Sequence, residues 1–397
     1  MINVIINRFT IRNNAYWTKL SSNHDTTNVY IITHVSKILE YSSLFENVIP
    51  VSDWSDDSAF VDILQSLKER SDIHNILNFD ESDVCRVAKL RELFCIPGQK
   101  KTEAILFRDK FYMREMFCND EFISYYTVDD FIDLKMNLDK VGLPCVLKPR
   151  LGMGSVGVHK INETSDLDNL IGVDLSNYLL ESWIEGSLIA VDAVCYGGKV
   201  IQLYASEYEE GGCLNAIPSC KLITEQAIID SLSEYLSSKL NVINHDRLDI
   251  FHMEVFLYNG RINLCEIAVR PGGAFFPNFY EFCSGDDYVY QFIRKCFFGL
   301  DMDFGKTDDK CRYDWILLPK SQGLYLHLVD EINDQNSKYS IPVCGVKQGS
   351  LVSKNRRHSA DILYAYGIRS FPGDDVKKLR KTADKYLIDE TVILEPY

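Results

Sequence analysis

The chain has no apolar run near the ~18 residues a membrane helix needs. Its opening stretch, MINVIINRFTIRNN, breaks at Arg8 and has neither a basic lead nor a small-residue cleavage site, which argues against an export signal. There is no Cys-x-x-Cys pair and no Cys/His spacing typical of zinc, although the sequence holds 12 cysteines. Thiols in a chain without an export signal point to the reducing cytoplasm. A positive excess is also missing: 42 Lys and Arg face 57 Asp and Glu, a net charge of -15. That balance excludes broad electrostatic binding to nucleic acid or an anionic membrane. Two basic clusters, Lys354 to His358 and Lys377 to Lys381, run against it and read as solvated faces. No glycine-rich turn follows the first apolar run, so the N-terminal segment should not hold a dinucleotide. Internal repeats and low-complexity segments are absent as well.

What is present describes a folded protein of two or three lobes: 397 residues, 46% hydrophobic and 25% charged. The β-branched runs NVIINRF and NVYIITHV read as strands, and FVDILQSLKER and CRVAKLRELF have helical spacing. Their alternation over residues 1–105 predicts a small α/β lobe with a parallel sheet. IPGQKKTEA reads as a turn-rich connection. Residues 106–184 form a second α/β unit: a helix around RDKFYMREMF, a strand at PCVLKPR, a glycine loop and a strand at NYLLESWI. Residues 185–300 are richer in strands and give the unit α+β character, with one helix at TEQAIIDSLSEYLSSKL. Residues 301–397 carry further strand and helix candidates, with Gly349 and Gly367 marking turns.

The stretch VLKPRLGMGSVGV places Lys148 at the end of an apolar strand, just before several glycines. Backbone N–H groups of such a loop can converge on phosphate oxygens. The loop lacks the Gly-Lys-Ser/Thr ending of a Walker A motif and precedes a strand, so no helix dipole assists it. A glycine-loosened hairpin is the alternative reading.

In FHMEVFLYNGRINLCEIAVRPGG, Glu254 and Glu266 lie on two strands joined around Asn259-Gly260. Strand parity decides what they can do. A strict two-residue turn pairs Tyr258 with Arg261 and sets Glu254 opposite Cys265, which puts the glutamates on opposite faces. A three-residue loop or a bulge at Asn259–Arg261 pairs them on one face. Two carboxylates so placed repel unless a cation lies between them, and hard oxygen ligands favour Mg²⁺. Two exposed glutamates on a solvated hairpin is the alternative. Arg270 follows Glu266 by four and opens RPGG; it suits a bidentate clamp on a carboxylate or phosphoryl group, or a salt bridge. Lys110 reads equally as a solvated helix residue, and His252 as a packed histidine.

The order RDKFYMR, PCVLKPRLGMGSVGV, YLLESWIEG, FHMEVF, CEIAVRPGG resembles the ATP-grasp superfamily, across roughly residues 75–275. The resemblance implies an ATP-grasp fold with an N-terminal Rossmann-like pre-ATP-grasp domain and a C-terminal region completing the large lobe. It implies ATP as a ligand, held by Lys110 and Lys148 under a mobile loop of Gly152, Gly154, Ser155 and Gly157. The hinge from Glu181 through Ser182, Trp183 and Ile184 would read adenine, and Lys221 would add a phosphate contact. Glu254 and Glu266 would hold Mg²⁺, with Mn²⁺ as a substitute. Arg270 would meet the transferring phosphoryl group or the acyl intermediate.

Two departures from the family pattern stand out. Ala268 occupies the place of a metal-binding Asn, and Leu188 the place of a ribose-binding Glu, for which Asp192 or Glu185 is the candidate replacement. The activity implied is carboxylate–amine ligation between small molecules, amino acids above all, through an acyl phosphate. Transfer of the acyl group to a carrier-protein thiol and a non-catalytic nucleotide-binding regulator are the alternatives. A homodimer is compatible with this reading.

Overall fold

A computed structural model describes residues 1–11, 15–118, 123–209, 219–319, 323–329, 331–332, 338–340, 342–344, 351–352 and 362–394. The basic stretch 354–358 and Gly349 lie outside them.

The N-terminal lobe alternates as the sequence pattern predicts. Its elements are β1 (Ile2–Ile6), α1 (Tyr16–Asn23), β2 (Val29–His34), α2 (Ile38–Ser42), β3 (Asn47–Val51), α3 (Asp57–Arg70), β4 (Ile73–Asn78) and α4 (Val84–Leu93). The four strands form a parallel sheet in the order β3-β2-β1-β4. Every residue of β1 is buried, as a central parallel strand covered on both faces requires. In α3, Phe60, Leu64 and Leu67 recur at helical spacing and are buried, and the Asp56 side chain caps the start by accepting from the Ser58 N–H.

A short helix α5 (Lys101–Ala104) leads to α6 (Lys110–Phe117), β5 (Tyr125–Val128), α7 (Phe131–Val141), β6 (Cys145–Pro149), β7 (His159–Ile161) and β8 (Tyr178–Ser182). Here the sheet is antiparallel, ordered β5-β8-β6-β7. The glycine stretch connects β6 to its antiparallel neighbour β7.

The largest sheet follows. It is built from β9 (Ser187–Tyr196), β10 (Lys199–Tyr208), β11 (Cys220–Leu222), β12 (Leu248–Tyr258) and β13 (Arg261–Ala268), with α8 (Gln226–Val242) before β12 and α9 (Phe276–Ser284) and α10 (Tyr288–Phe298) after β13. The C-terminal segment supplies β14 (Arg312–Pro319), β15 (Gly323–His327), β16 (Val343–Cys344), β17 (Leu351–Val352), β18 (Ile362–Ser370), α11 (Val376–Glu390) and β19 (Val392–Leu394). Strands β14, β18 and β16 continue the large sheet, giving the order β13-β12-β9-β10-β11-β14-β18-β16; β17, β15 and β19 make a small separate sheet.

Gly367 does not mark a turn. It lies within β18 opposite Trp315, and a Cβ there would stand 2.5 Å from the Phe282 ring. The glycine serves close packing of α9 on the sheet rather than a reversal of the chain. The lobes share a core: Ile5, Tyr16 and Trp17 belong to one buried cluster with Tyr288, Val289 and Phe292. The N-terminal lobe is thereby fixed against the large sheet. The basic residues Lys377 to Lys381 lie on α11, on the solvent side of Ala383 and Leu387, which are buried.

Candidate active site

Between the antiparallel small sheet and the large sheet lies a cavity of about 1320 Å³. Most of the residues singled out in the sequence line it: Lys110, Lys148, Gly152, Gly154, Ser155, the hinge from Glu181 to Ile184, Lys221, Glu254 and Glu266. Gly157 and Arg270 do not line it.

The two glutamates pair directly, Glu254 opposite Glu266, but by a route the turn chemistry did not suggest. The turn is the strict two-residue one: Tyr258 pairs with Arg261, and Asn259 and Gly260 both have positive φ, 50° and 77°. The offset is absorbed next to the glutamates themselves. Val255 pairs with Leu264 and Glu254 with Glu266, so Cys265 is an extra, bulged residue. Cys265 and Glu266 therefore both line the cavity while Leu264 and Ile267 are buried. Burial pushes the Cys265 thiol up to about 12, so it is not a reactive thiol.

The backbone carbonyls around this bulge meet Arg114, one helical turn after Lys110 on α6. The Arg114 guanidinium donates to the Leu264 carbonyl at 2.6 Å and the Cys265 carbonyl at 3.1 Å, and forks onto Glu181 at 2.9 and 3.2 Å. Its side chain is 1% exposed. Lys148 shares Glu181 Oε1 with Arg114, its Nζ lying 2.5 Å away. Burial alone would raise the Glu181 carboxyl, but Arg114 and Lys148 outweigh it and hold the group at about 2. Sequence reading placed Glu181 beside adenine; the structure makes it the buried anion between two cations. The Ser182 and Trp183 N–H groups are donated to the Ser124 and Pro144 carbonyls, while among the described residues the Ile184 N–H has no backbone partner.

Lys110 is not a solvated residue. It opens α6 behind the Asp109 cap, is buried, and its Nζ lies 3.0 Å from Glu266 Oε2 and 3.0 Å from the Gly152 carbonyl. Burial works against its charge, but Glu266 raises its pKa, and Lys110 in turn holds Glu266 well below the usual carboxylate range. Asp109 grips Arg150 at 3.0 and 2.7 Å, which anchors the loop stem. Within the loop, Gly154, Ser155 and Gly157 have φ of 59°, 58° and 74°. A Cβ at Gly157 would stand 2.9 Å from the Tyr178 hydroxyl, so both backbone and space demand glycine there. The loop is thus a hairpin connection that also covers the cavity.

Glu254 accepts from the Tyr208 hydroxyl at 2.9 Å. Behind it, His252 is packed as expected, its Nδ1 3.1 Å from Asp192 Oδ2 and its Nε2 3.9 Å from Glu254. Burial lowers its pKa, yet Asp192 and Glu254 push it up to about 9. Asp192 is fully buried and accepts from Tyr288 and from the Gly272 N–H, so it cannot read a ribose; neither it nor Glu185 lines the cavity, whereas Leu188 does. Lys221 lines the cavity but pairs with Glu207, next to Ser206; register sets Ser206 on the face of Glu254 and Lys221 on the other. Its Nζ is 3.8 Å from Glu207. Strand β13 ends at Ala268, and Arg270 turns to the N-terminal lobe, where Nε donates to Glu81 Oε2 at 3.0 Å.

Arg114, Glu81 and Tyr208 escaped sequence reading. For Arg114 a signal existed, since it repeats Lys110 at i+4 within the RDKFYMR helix. For Glu81, in a turn after β4, there was none.

Residues 141–277 match the family model of the ATP-grasp domain. The L-arginine-specific L-amino acid ligase of Bacillus subtilis is 21% identical over 279 residues, 65% of this chain and 66% of that protein. A D-alanine–D-alanine ligase of Flavobacterium johnsoniae is 32% identical over 89 residues, 21% of this chain and 28% of that one. The matches thus span just under two thirds of the first of these proteins and less of the second. Among solved structures, the L-amino acid ligase from Bacillus licheniformis superposes with a TM-score of 0.76 at 14% identity, covering 100% of this chain and 99% of that one. Phosphoribosylglycinamide synthetase from Anaerococcus prevotii gives 0.70 at 13% identity, covering 100% of both. At such identities the structures speak to the fold.

Proposed function

The chain carries an ATP-grasp domain, and from that premise we propose that it is an ATP-dependent carboxylate–amine ligase acting on small molecules, amino acids above all. A carboxylate at neutral pH is a poor electrophile, and phosphorylating it makes an acyl phosphate that an amine can attack. ADP and phosphate are released. The observation that carries this reading is the facing pair Glu254 and Glu266, with Lys110 on Glu266 and Lys148 in the same cavity.

The donor set fits Mg²⁺ in a limited way. No cluster of three or more His, Cys, Asp or Glu among the described residues could hold a metal alone. Two carboxylates can do so together with phosphate oxygens and water, which is how Mg²⁺ binds at nucleotide sites. Glu254 and Glu266 would hold the ion, which would offset phosphate charge. The chain's own groups do the rest. Lys110 and Lys148, now neutralised by Glu266 and Glu181, would share their charge with the phosphates and favour a loose phosphoryl-transfer transition state. The glycine loop would exclude water from the acyl phosphate. Arg270 is held by Glu81 outside the cavity, so its guanidinium does not reach the reacting atoms in this arrangement.

The test is phosphate release from ATP over pairs of amino acids, with hydroxylamine added to trap the acyl phosphate as a hydroxamate. Trapping that needs ATP and a free carboxylate alone supports the ligase. Trapping only in the presence of a carrier protein moves the acceptor to a thiol, and ATP binding without carboxylate-dependent turnover makes the chain a regulator.

A further inference from the structure

Each of the two facing carboxylates is engaged through one oxygen. Among the described residues, the contacts of Glu266 fall on Oε2, where Lys110 Nζ stands at 3.0 Å. Those of Glu254 fall on Oε1, which accepts from the Tyr208 hydroxyl at 2.9 Å and has His252 Nε2 at 3.9 Å. Tyr208 reaches that oxygen across a strand. Register sets Ser206 of β10 beside Ala190 of β9, and Ala190 beside Glu254 of β12. Tyr208 follows Ser206 by two and shares its face. The residue between is Ala190, whose single methyl leaves room for the phenol to lie over β9. The Tyr208 ring meets Phe276 of α9 edge-on, with centroids 6.1 Å apart at 74°, and Tyr208 lines the same cavity as both glutamates.

That arrangement leaves Glu254 one oxygen, Oε2, to give to an ion. To chelate through both oxygens, the carboxylate must turn from the Tyr208 hydroxyl or share Oε1 with it, and either weakens a charge-assisted hydrogen bond. The two ions that could compete here differ in what they ask of a carboxylate. Mg²⁺ is small and octahedral, and takes one or two carboxylates alongside phosphate and water. Ca²⁺ is larger, takes about 6–8 oxygens and often draws both from one carboxylate. We propose that Tyr208 is a positioning residue for metal choice: it holds Glu254 as a one-oxygen ligand and so favours Mg²⁺ over Ca²⁺ at the nucleotide site. This rests on the reading of Glu254 and Glu266 as metal ligands, and its test is a binding measurement rather than turnover.

ATP binding to the whole chain is measured by calorimetry across separate Mg²⁺ and Ca²⁺ series, without carboxylate or amine. The parent should reach half-maximal binding at a lower concentration of Mg²⁺ than of Ca²⁺. Tyr208→Phe keeps the ring and removes the hydroxyl. It should narrow the ratio of the two concentrations on the order of tenfold, the worth of one hydrogen bond to a charged group. Tyr204→Phe removes another hydroxyl from the same face of β10, one bonded to Ser284 at 3.1 Å, and should leave the ratio unchanged. Should Tyr208→Phe not fold, Tyr208→Met takes its place with the same expectation. The proposal is overturned if the Tyr208 variant keeps the parent's ratio or widens it, or if Tyr204→Phe narrows it as much. A parent that binds ATP with either ion but does not prefer Mg²⁺ overturns the proposal alone. A parent that binds no ATP with either ion, or binds it equally well without them, refutes the metal reading and this proposal together.

Discussion

Replacing Arg114 by Met tests whether the buried charge chain holds the site together. Methionine keeps most of the apolar length but removes the guanidinium, leaving Glu181 with Lys148 as its remaining cation and the Leu264 and Cys265 carbonyls without their donor. Breaking a buried ion pair by removing one partner costs about 3–5 kcal/mol, because a charge stays buried uncompensated. A second route gives a similar figure. Glu181 is held at about 2 against an ordinary 4.5, a net of about 3 kcal/mol left after its two cations outweigh the cost of burial. Either is a large part of the ~5–15 kcal/mol that keeps a domain folded. The sign with pH follows from the depressed pKa. The stabilisation is fully present above about pH 4.5 and is lost as pH falls toward about 2. Urea denaturation followed by circular dichroism at pH 7 and at pH 3 measures it. The gap between parent and variant should be full at pH 7 and begin to close in acid. Arg380→Met is the control, since its pair with Glu209 at 3.0 Å is 38% and 42% exposed and is worth about 1 kcal/mol or less. If Arg114→Met shifts the midpoint no more than Arg380→Met does, the buried chain is not a structural element and the reasoning fails.

Glu266→Gln should largely abolish ATP turnover while the chain still folds, with a lower melting point because buried Lys110 loses its partner; turnover with the parent's Mg²⁺ dependence would mean that Glu266 is not a metal ligand. Amide exchange across Gly152–Gly157 should slow when ATP is added, since the turn bonds from the Gly152 and Val156 N–H groups, 3.2 and 3.3 Å, give little protection on their own; equal exchange with and without ATP would leave the loop a plain hairpin. Burial raises the carboxyl of Asp287, which caps α10, from an ordinary 3.8 to about 7. The folded state therefore holds a proton that the unfolded chain has released, and Asp287 lowers stability as pH rises through that window. Asp287→Asn retains a capping oxygen, so it should match the parent near pH 4 and exceed it at pH 8 by no more than about 4 kcal/mol. Urea midpoints at the two pH values decide this, and a variant weaker than the parent at pH 8 would refute it.

Much of the fold was legible because its signals are local. β-branched runs marked β1 and β2 and helical spacing marked α3 and α4 in the N-terminal lobe, and the Asn259-Gly260 turn was visible as a hairpin from its residues alone. The pairing of Glu254 with Glu266 was half legible. Parity showed that one extra residue was needed, but a count cannot say where it goes, and packing placed it at Cys265, where the bulge turns carbonyls toward Arg114. Asp192 looked like a ribose ligand because a polar residue in a strand reads the same whether it faces a cavity or the core. It faces the core because His252, Tyr288 and the Gly272 N–H surround it. Lys110, Lys148 and both glutamates were singled out through the order of motifs that resembles the ATP-grasp superfamily, and the structure brings them to one cavity. Glu81 and Arg114 were not legible, for a physical reason. An ion pair between residues 189 positions apart, as Arg270 and Glu81 are, leaves no periodic mark on either segment. Its energy exists only once burial has lowered the dielectric around both charges, and burial is a property of the assembled lobes.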